Sequence, residues 1–140
     1  MKKGIRAYLL ADTAIKAACP NVYSFPAEDA KTKPYMMLSR VSGSIDNTVS
    51  GSLDIYRETW QVDIIASTDA EAEAIKELVV SRMNCSDRVE MGSYTVYSCF
   101  IPDGGIHDNS ALEMDGGDNA DIRTTIELDI VRDRTATPTT

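Results

Sequence analysis

Over residues 53–66 the chain alternates. Tyr56, Trp60, Val62, Ile64 and Ala66 fall on one parity, and Arg57, Thr59, Gln61 and Asp63 on the other, the period-two signature of a half-buried strand. Glu58 and Ile65 break the pattern, and Trp60 is assigned to the buried face. The period changes at Thr68. This threonine, with Glu71 three residues on, reads as a capping box, in which the hydroxyl oxygen accepts from the third amide and the carboxylate reaches back. Ala72, Ile75, Leu78, Val79 and Met83 then recur every three or four residues, predicting a helix with one apolar stripe and with Glu71, Glu73, Lys76 and Glu77 in water.

Ile5, Tyr8, Leu9, Ala11, Ala14, Ile15 and Ala18 also follow helical spacing, with Asp12 placed to cap a second short turn and Pro20 ending the segment. Residues 22–25 read as a short strand or an extended connector, and 26–33 as a polar turn. Pro34 opens a strand over 35–41, the partner of the 53–66 strand across a polar loop at 42–52. Fully extended, 53–66 would span roughly 46 Å at about 3.3 Å per residue, so its first half is expected to project as a β-hairpin arm. Residues 84–90 read as a connection, 94–101 as a strand closed by Pro102, and 103–119 as a long Gly- and Asp-rich loop. The last strand alternates cleanly: Ala120, Ile122, Thr124, Ile126, Leu128 and Ile130 oppose Asp121, Arg123, Thr125, Glu127 and Asp129. The expected fold class is α+β, a mainly antiparallel sheet of about four strands packed against two helices with a projecting β-hairpin arm. Residues 1–134 form one domain, and 135–140 a disordered tail.

Composition narrows the chemistry. A chain of 140 residues suits one core, and its net charge of −8, from 22 acidic and 14 basic residues, disfavours gripping a nucleic-acid backbone, where cations must replace counterions. Cys19, Cys85 and Cys99 are odd in number, with no CxxC spacing, and His107 is the single histidine, so neither a disulfide framework nor a zinc site is indicated. A reducing cytosol is the simplest compartment. The opening MKKGIRAYLLADTAIKAACP has its apolar run broken by Asp12 and Lys16, reads as neither signal peptide nor membrane span, and predicts a soluble protein.

No catalytic constellation emerges, and none of the readings requires an enzyme, a cofactor or a metal. His107 has no serine or cysteine partner by spacing and reads as a solvated loop residue. Asp103, Asp108, Asp115, Asp118 and Asp121 could gather a calcium ion, yet they do not match the twelve-residue EF-hand register and turn chemistry accounts for them. The two Asp-Gly-Gly runs lack the lysine of a phosphate loop. Arg40, Arg57 and Arg123 are expected to pair with strand carboxylates rather than form a nucleic-acid strip, and Tyr35, Tyr94, Tyr97 and Phe100 to be core rather than a base-stacking platform.

The order of segments carries a likeness that no single motif does. IRAYLLADTAIKA, then a Pro-Tyr opening the strand of PYMMLSRV, the polar SGSIDNT hairpin, and a Trp strand running into an Ala/Glu-rich helix in YRETWQVDIIASTDAEAEAIKELV together resemble the tail completion, or tail terminator, proteins of long-tailed phages. The resemblance runs to about Arg134, most closely through Met83 and least across 103–119. It implies a non-enzymatic α+β structural protein of a phage or prophage. Such proteins assemble in the bacterial host cytoplasm as a ring, usually a hexamer, that caps the tail tube, stops its polymerisation and joins it to the head connector, in the tail and neck of the virion. The partners so implied are further copies of the chain, the tail tube protein and the connector protein, with DNA passing through without specific binding and no membrane involved.

The resemblance maps no contact residues, so these are inferred from the loops that a rigid sheet would present: Ser44, Asp46, Asn47, Thr48 and Ser50 in the arm, and His107, Asp108 and Asn109 in the acidic loop. Asp63, Asp121, Glu127 and Asp129, on the polar parity, are the candidate lining of a DNA channel. The alternative is a small cytosolic binding domain whose acidic loop holds calcium or a basic partner.

Overall fold

The computed structural model describes residues 2–24, 33–48, 51–85, 87–112 and 121–133, with backbone pairing alone at 24, 44–48, 51–54, 108–112 and 121. Helices α1 (Lys2–Leu10) and α2 (Thr13–Ala18) lead into strands β1 (Val22–Ser24), β2 (Tyr35–Thr48) and β3 (Gly51–Ala66). Helix α3 (Asp69–Met83) follows, then β4 (Val89–Met91), β5 (Tyr94–Phe100), β6 (Ile106–Leu112) and β7 (Asp121–Asp133). The fold is α+β, as the patterning predicts.

The amino-terminal helical run divides where Asp12 sits. Asp12 has extended backbone and accepts from the Ala14 and Ile15 amides at 2.9 and 3.2 Å, so it caps α2 instead of continuing α1. Among the described residues, three helices therefore stand where two were expected. At α3, Thr68 accepts from the Glu71 amide at 3.2 Å, while the Glu71 carboxylate takes the Ser67 amide at 3.3 Å, one residue further back than the capping-box reading. Ala72, Ile75, Val79 and Met83 are buried along one stripe, each large member stabilising the fold by about 1.5–3 kcal/mol. Lys76 is drawn out of water against the helix, bonded to Glu73 at 2.6 Å.

Among the described residues, seven strands replace the expected four. Their order is β1-β2-β3-β7-β5-β4, with β6 also beside β7. Every pair is antiparallel except β1 with β2, so the sheet is mixed. The polar segment expected to be a 42–52 loop is strand: β2 pairs with β3 from Tyr35↔Ile65 to Thr48↔Gly51, with residues 49 and 50 outside the described set. The 103–119 loop shrinks likewise, because 106–112 is β6. Residues 113–120, and the tail expected at 135–140, lie outside the described residues.

β7 is the central strand. One edge of it takes β3 from Ile55↔Asp133 to Ala66↔Ile122, and its other edge takes β5 and β6 in succession. β5 and β6 run in the same direction along that edge, interrupted at residues 101–105, where the Glu127 amide still bonds the Gly105 carbonyl at 2.7 Å. The helices cover one face. Ile5, Leu9, Ile15, Ile75, Val79 and Met83 meet Met36, Leu38, Val62, Ile64, Ile126, Leu128 and Ile130 in one cluster. Trp60 is 3 % exposed within it, the face assigned from parity. The amino terminus is held by backbone contact: Gly92, at φ +64° in the β4–β5 turn, faces Gly4, and a Cβ on Gly92 would lie 2.9 Å from the Gly4 Cα, room that only paired glycines leave.

Candidate assembly surface

Two charged residues sit on the helix-covered face. Glu58 continues the buried parity of β3, and Arg132 that of β7, and they are 3 % and 7 % exposed. The Arg132 Nη2 donates to one Glu58 oxygen and the Trp60 Nε1 to the other. The guanidinium also lies 4.9 Å from the Tyr56 ring centre and 4.4 Å from that of Tyr94, so each buried charge has an opposite charge and the cation has aromatic faces. This is a structural device beneath the sheet rather than a reacting group.

The helix-free face is a polar ladder. Thr59 donates to Asp129 at 3.1 Å, and Asp63 accepts from Thr125 at 2.6 Å, Arg123 at 3.0 Å and Gln61 at 3.1 and 3.2 Å. Arg123 thus pairs with a strand carboxylate as expected. Asp63 departs from its expected place: at 1 % exposure, its carboxylate is filled by neighbours and does not present itself as a channel wall. Glu127 is 39 % exposed in its side chain and stands 3.7 Å from His107 Nε2; Asp129 is half-buried beside Thr59. Between β2, β3, β7 and β5 lies a shallow depression of about 330 Å³ over Ser42, Arg57, Thr59, Asp129 and Val131, rimmed by Phe100.

Phe100 and Tyr97 correct the expectation that they are core, since both are exposed, as are Val41 and Ile106. The cause is local. A register shift between Val96 and Ser98 turns β5 so that Val96 and Cys99 face inward and Phe100 joins Asp129 outside. Val41 stands at the β2 bulge between Arg40 and Ser42.

The inferred contact residues prove to be strand positions. Ser44, Asp46, Asn47 and Thr48 lie in β2, and His107, Asp108 and Asn109 in β6, while Ser50 lies outside the described residues. Asp121 begins β7. Asp103 is exposed in the turn after Pro102, and Asp115 and Asp118 lie outside the described residues. Among the described residues no group of three His, Cys, Asp or Glu side chains could hold a metal ion.

The cysteines are quiet. Cys85 and Cys99 exchange backbone hydrogen bonds of 2.7 and 3.1 Å in an isolated bridge, and Tyr8 Oη lies 3.4 Å from Cys85 Sγ. Burial, with Cys85 adding to it, pushes the Cys99 thiol up to about 12, and burial pushes Cys19 up to about 11. Neither is a thiolate near neutral pH, so neither is an activated nucleophile. Tyr8 is likewise raised to about 12, first by burial and then by its Cys85 contact. These protons are held more firmly in the folded chain than in the unfolded one, so their contribution is complete below pH 9 and is lost as the pH climbs towards 12. Melting temperature under reductant should be level from pH 7 to 8.5 and fall above pH 9. Cys19→Ala with Cys99→Ala should flatten that alkaline fall; an unchanged slope would show that other groups cause it.

Among the described residues, three helices on one face of a mixed sheet and a polar helix-free face on the other define a module of the α+β class. Among the described residues no helix is long and apolar enough to cross a membrane. The sequence model of the family described as "Tail completion protein gp17" matches residues 3–105, more than half of the chain, and the chain belongs to that family. It is a family of structural phage tail proteins and not a class of enzymes. The fold is similar to a chain of a solved "Virion of native gene transfer agent (GTA) particle", with a TM-score of 0.70 at 12% identity over 94% of each chain. No curated protein matches the sequence.

Proposed function

We propose that the chain closes the tail: six copies form a ring on the last ring of the tail tube, stop its polymerisation and join it to the head connector. The family match over residues 3–105 carries this reading, and a fold shared with a chain of a virion particle supports a place in the virion; on this reading that place is the tail or neck, reached after assembly in the host cytoplasm. The arm is the distal β2–β3 hairpin, whose pairing continues to Thr48↔Gly51 beyond the last β3–β7 pair, Ile55↔Asp133. Ser44, Asp46, Asn47, Thr48 and Ser50 are its proposed contacts, and His107, Asp108 and Asn109 form a second set on β6. The test is native mass, alone and with tail tubes. A variant shortened within 46–50 should melt as the wild type does but fail to assemble or cap; normal rings and capping would remove the arm from the contacts.

The helix-free face is the proposed channel wall, with Glu127, Asp129 and Asp121 as its carboxylates and Asp63 withdrawn from the set. A ring of six multiplies a net charge of −8 per chain, which is tolerable where the charge faces solvent or a lumen. A negative wall repels phosphates and lets DNA pass without the counterion release that would hold it. Assembled rings carrying Glu127→Lys and Asp129→Lys should bind DNA and slow its delivery, most at low salt. Unchanged delivery at every salt concentration would take these side chains off the wall.

A further inference from the structure

Among the described residues, the sheet is closed at two of its four corners and open at the other two. β1 covers β2 only at Met36, Met37 and Leu38, while β4 and the Cys85 bridge cover β5 at Thr95, Val96 and Cys99 among other positions. Among the described residues nothing pairs with the free edge of β2 beyond Leu38, or with the edge of β6 that faces away from β7. β7 provides a common scale for their heights. Through β3, Ser42 to Ile45 stands level with Asp129 to Arg132, whereas Ile106 to Asn109 pairs with Ile126 to Arg123. The open edges therefore lie on opposite sides of the sheet and at opposite ends of it.

Their chemistry matches. Neither edge carries a lysine or proline, the residues that usually blunt an exposed strand. The bulges in β2 leave Ser42–Gly43–Ser44–Ile45 as an unbroken run, and the shift in β6 leaves Ile106–His107–Asp108–Asn109, so each edge offers four regular residues. Polarity matches as well. β2 and β7 are both antiparallel neighbours of β3, and β6 is antiparallel to β7, so β2 and β6 run in opposite directions within one subunit. Copies related by rotation about an axis along the sheet would present them to each other antiparallel.

We propose that the partner of these edges is a second copy of this chain: the Ser42-to-Ile45 run of one subunit pairs antiparallel with the Ile106-to-Asn109 run of the next, making one continuous sheet. This rests on the ring reading and specifies how the ring is held. The geometry closes quantitatively. The centres of the two runs differ by six residues on the β7 scale, about 20 Å at about 3.3 Å per residue. Each subunit contributes four strand widths, from β2, β3, β7 and the β5–β6 edge, about 19 Å at about 4.8 Å each. A stagger of about 20 Å over a width of about 19 Å tilts the strands by roughly 45°, at the upper end of what closes a barrel. An interface of this kind is head-to-tail, so it builds a ring when the rotation between subunits closes, and not a two-fold dimer.

Central pairing of the two runs sets Ser44 opposite His107 and Ser42 opposite Asn109. Opposed residues of an antiparallel pair are about 4.5–5.5 Å apart at Cα, within disulfide range. Ser44→Cys and His107→Cys chains, mixed with tail tubes under mild oxidant, should form covalent dimers, and a chain carrying both changes should shift to a ladder of multimers that collapses with reductant. Ser42→Cys with Asn109→Cys gives a second pair; either variant alone, and the wild type with its own cysteines, should remain single chains on the gel. Rings of normal native mass with no cross-link at either pair would overturn the edge pairing and leave the ring standing. Single chains at every concentration, with or without tubes, would remove the ring and this interface together.

Discussion

Trp60→Ala should lower the free energy of unfolding by about 3–5 kcal/mol, the cost of an unfilled aromatic cavity in a packed core. Trp60 is almost wholly buried, opposite Leu128 on one side and Arg40 on the other. Its indole N–H also holds Glu58, so the truncation removes a hydrogen bond from a buried carboxylate as well as volume. Since a domain of this size commonly has only about 5–15 kcal/mol in total, the variant should sit near the edge of folding. Denaturant titration at fixed slope is the measurement. A midpoint within error of wild type would mean that the central strand does not seal the core at this position.

The second large effect should come from the pair beside it. Arg132→Leu alone leaves the Glu58 carboxylate buried without its cation, and Glu58→Leu alone leaves the Arg132 guanidinium likewise, each expected to cost about 3–5 kcal/mol. Tyr56 and Tyr94 would hold the orphaned cation in part, which makes Glu58→Leu the milder of the two. The double variant should recover much of the loss, because apolar residues of similar volume remove both desolvation costs together. If the two losses simply add, Glu58 and Arg132 do not act as a pair.

Glu58 marks where pattern reading ends. Alternation made it an exception on a buried parity, and its explanation stood 74 residues away at Arg132, the next buried-parity position of β7 after Ile130. Cross-strand partners are set by tertiary register, which periodicity does not encode. Asp63 is the same case in reverse: it lies on the polar parity, yet Thr125 and Arg123, brought alongside by β7, allow it to be buried. Local chemistry was legible. The Thr68 cap, the α3 stripe, the Asp12 break and the β7 alternation depend on neighbours within about four residues, and each stands as the spacing predicts. β6 was hidden because HDNSA has no apolar alternation; an edge strand paired along one side needs none. The outward turn of Phe100 depends on a bulge that no residue in YTVYSCF announces.

The central position of β7 also bears on the order of events in time. The strand that joins β3 to β5 and β6 is the last of the described elements. During synthesis β2 and β3 can zip locally and α3 can dock on them, but Ile126, Leu128 and Ile130 arrive after all the other described elements, to meet partners more than sixty residues upstream. Such long-range closure is slow, and until it happens the β3 edge and Trp60 lack their cover. A ribosome stalled before β7 would hold an aggregation-prone hairpin, whereas arrival of β7 joins both halves of the sheet in one step. The molecule thus becomes competent for its partners only once β7 has been added to the sheet.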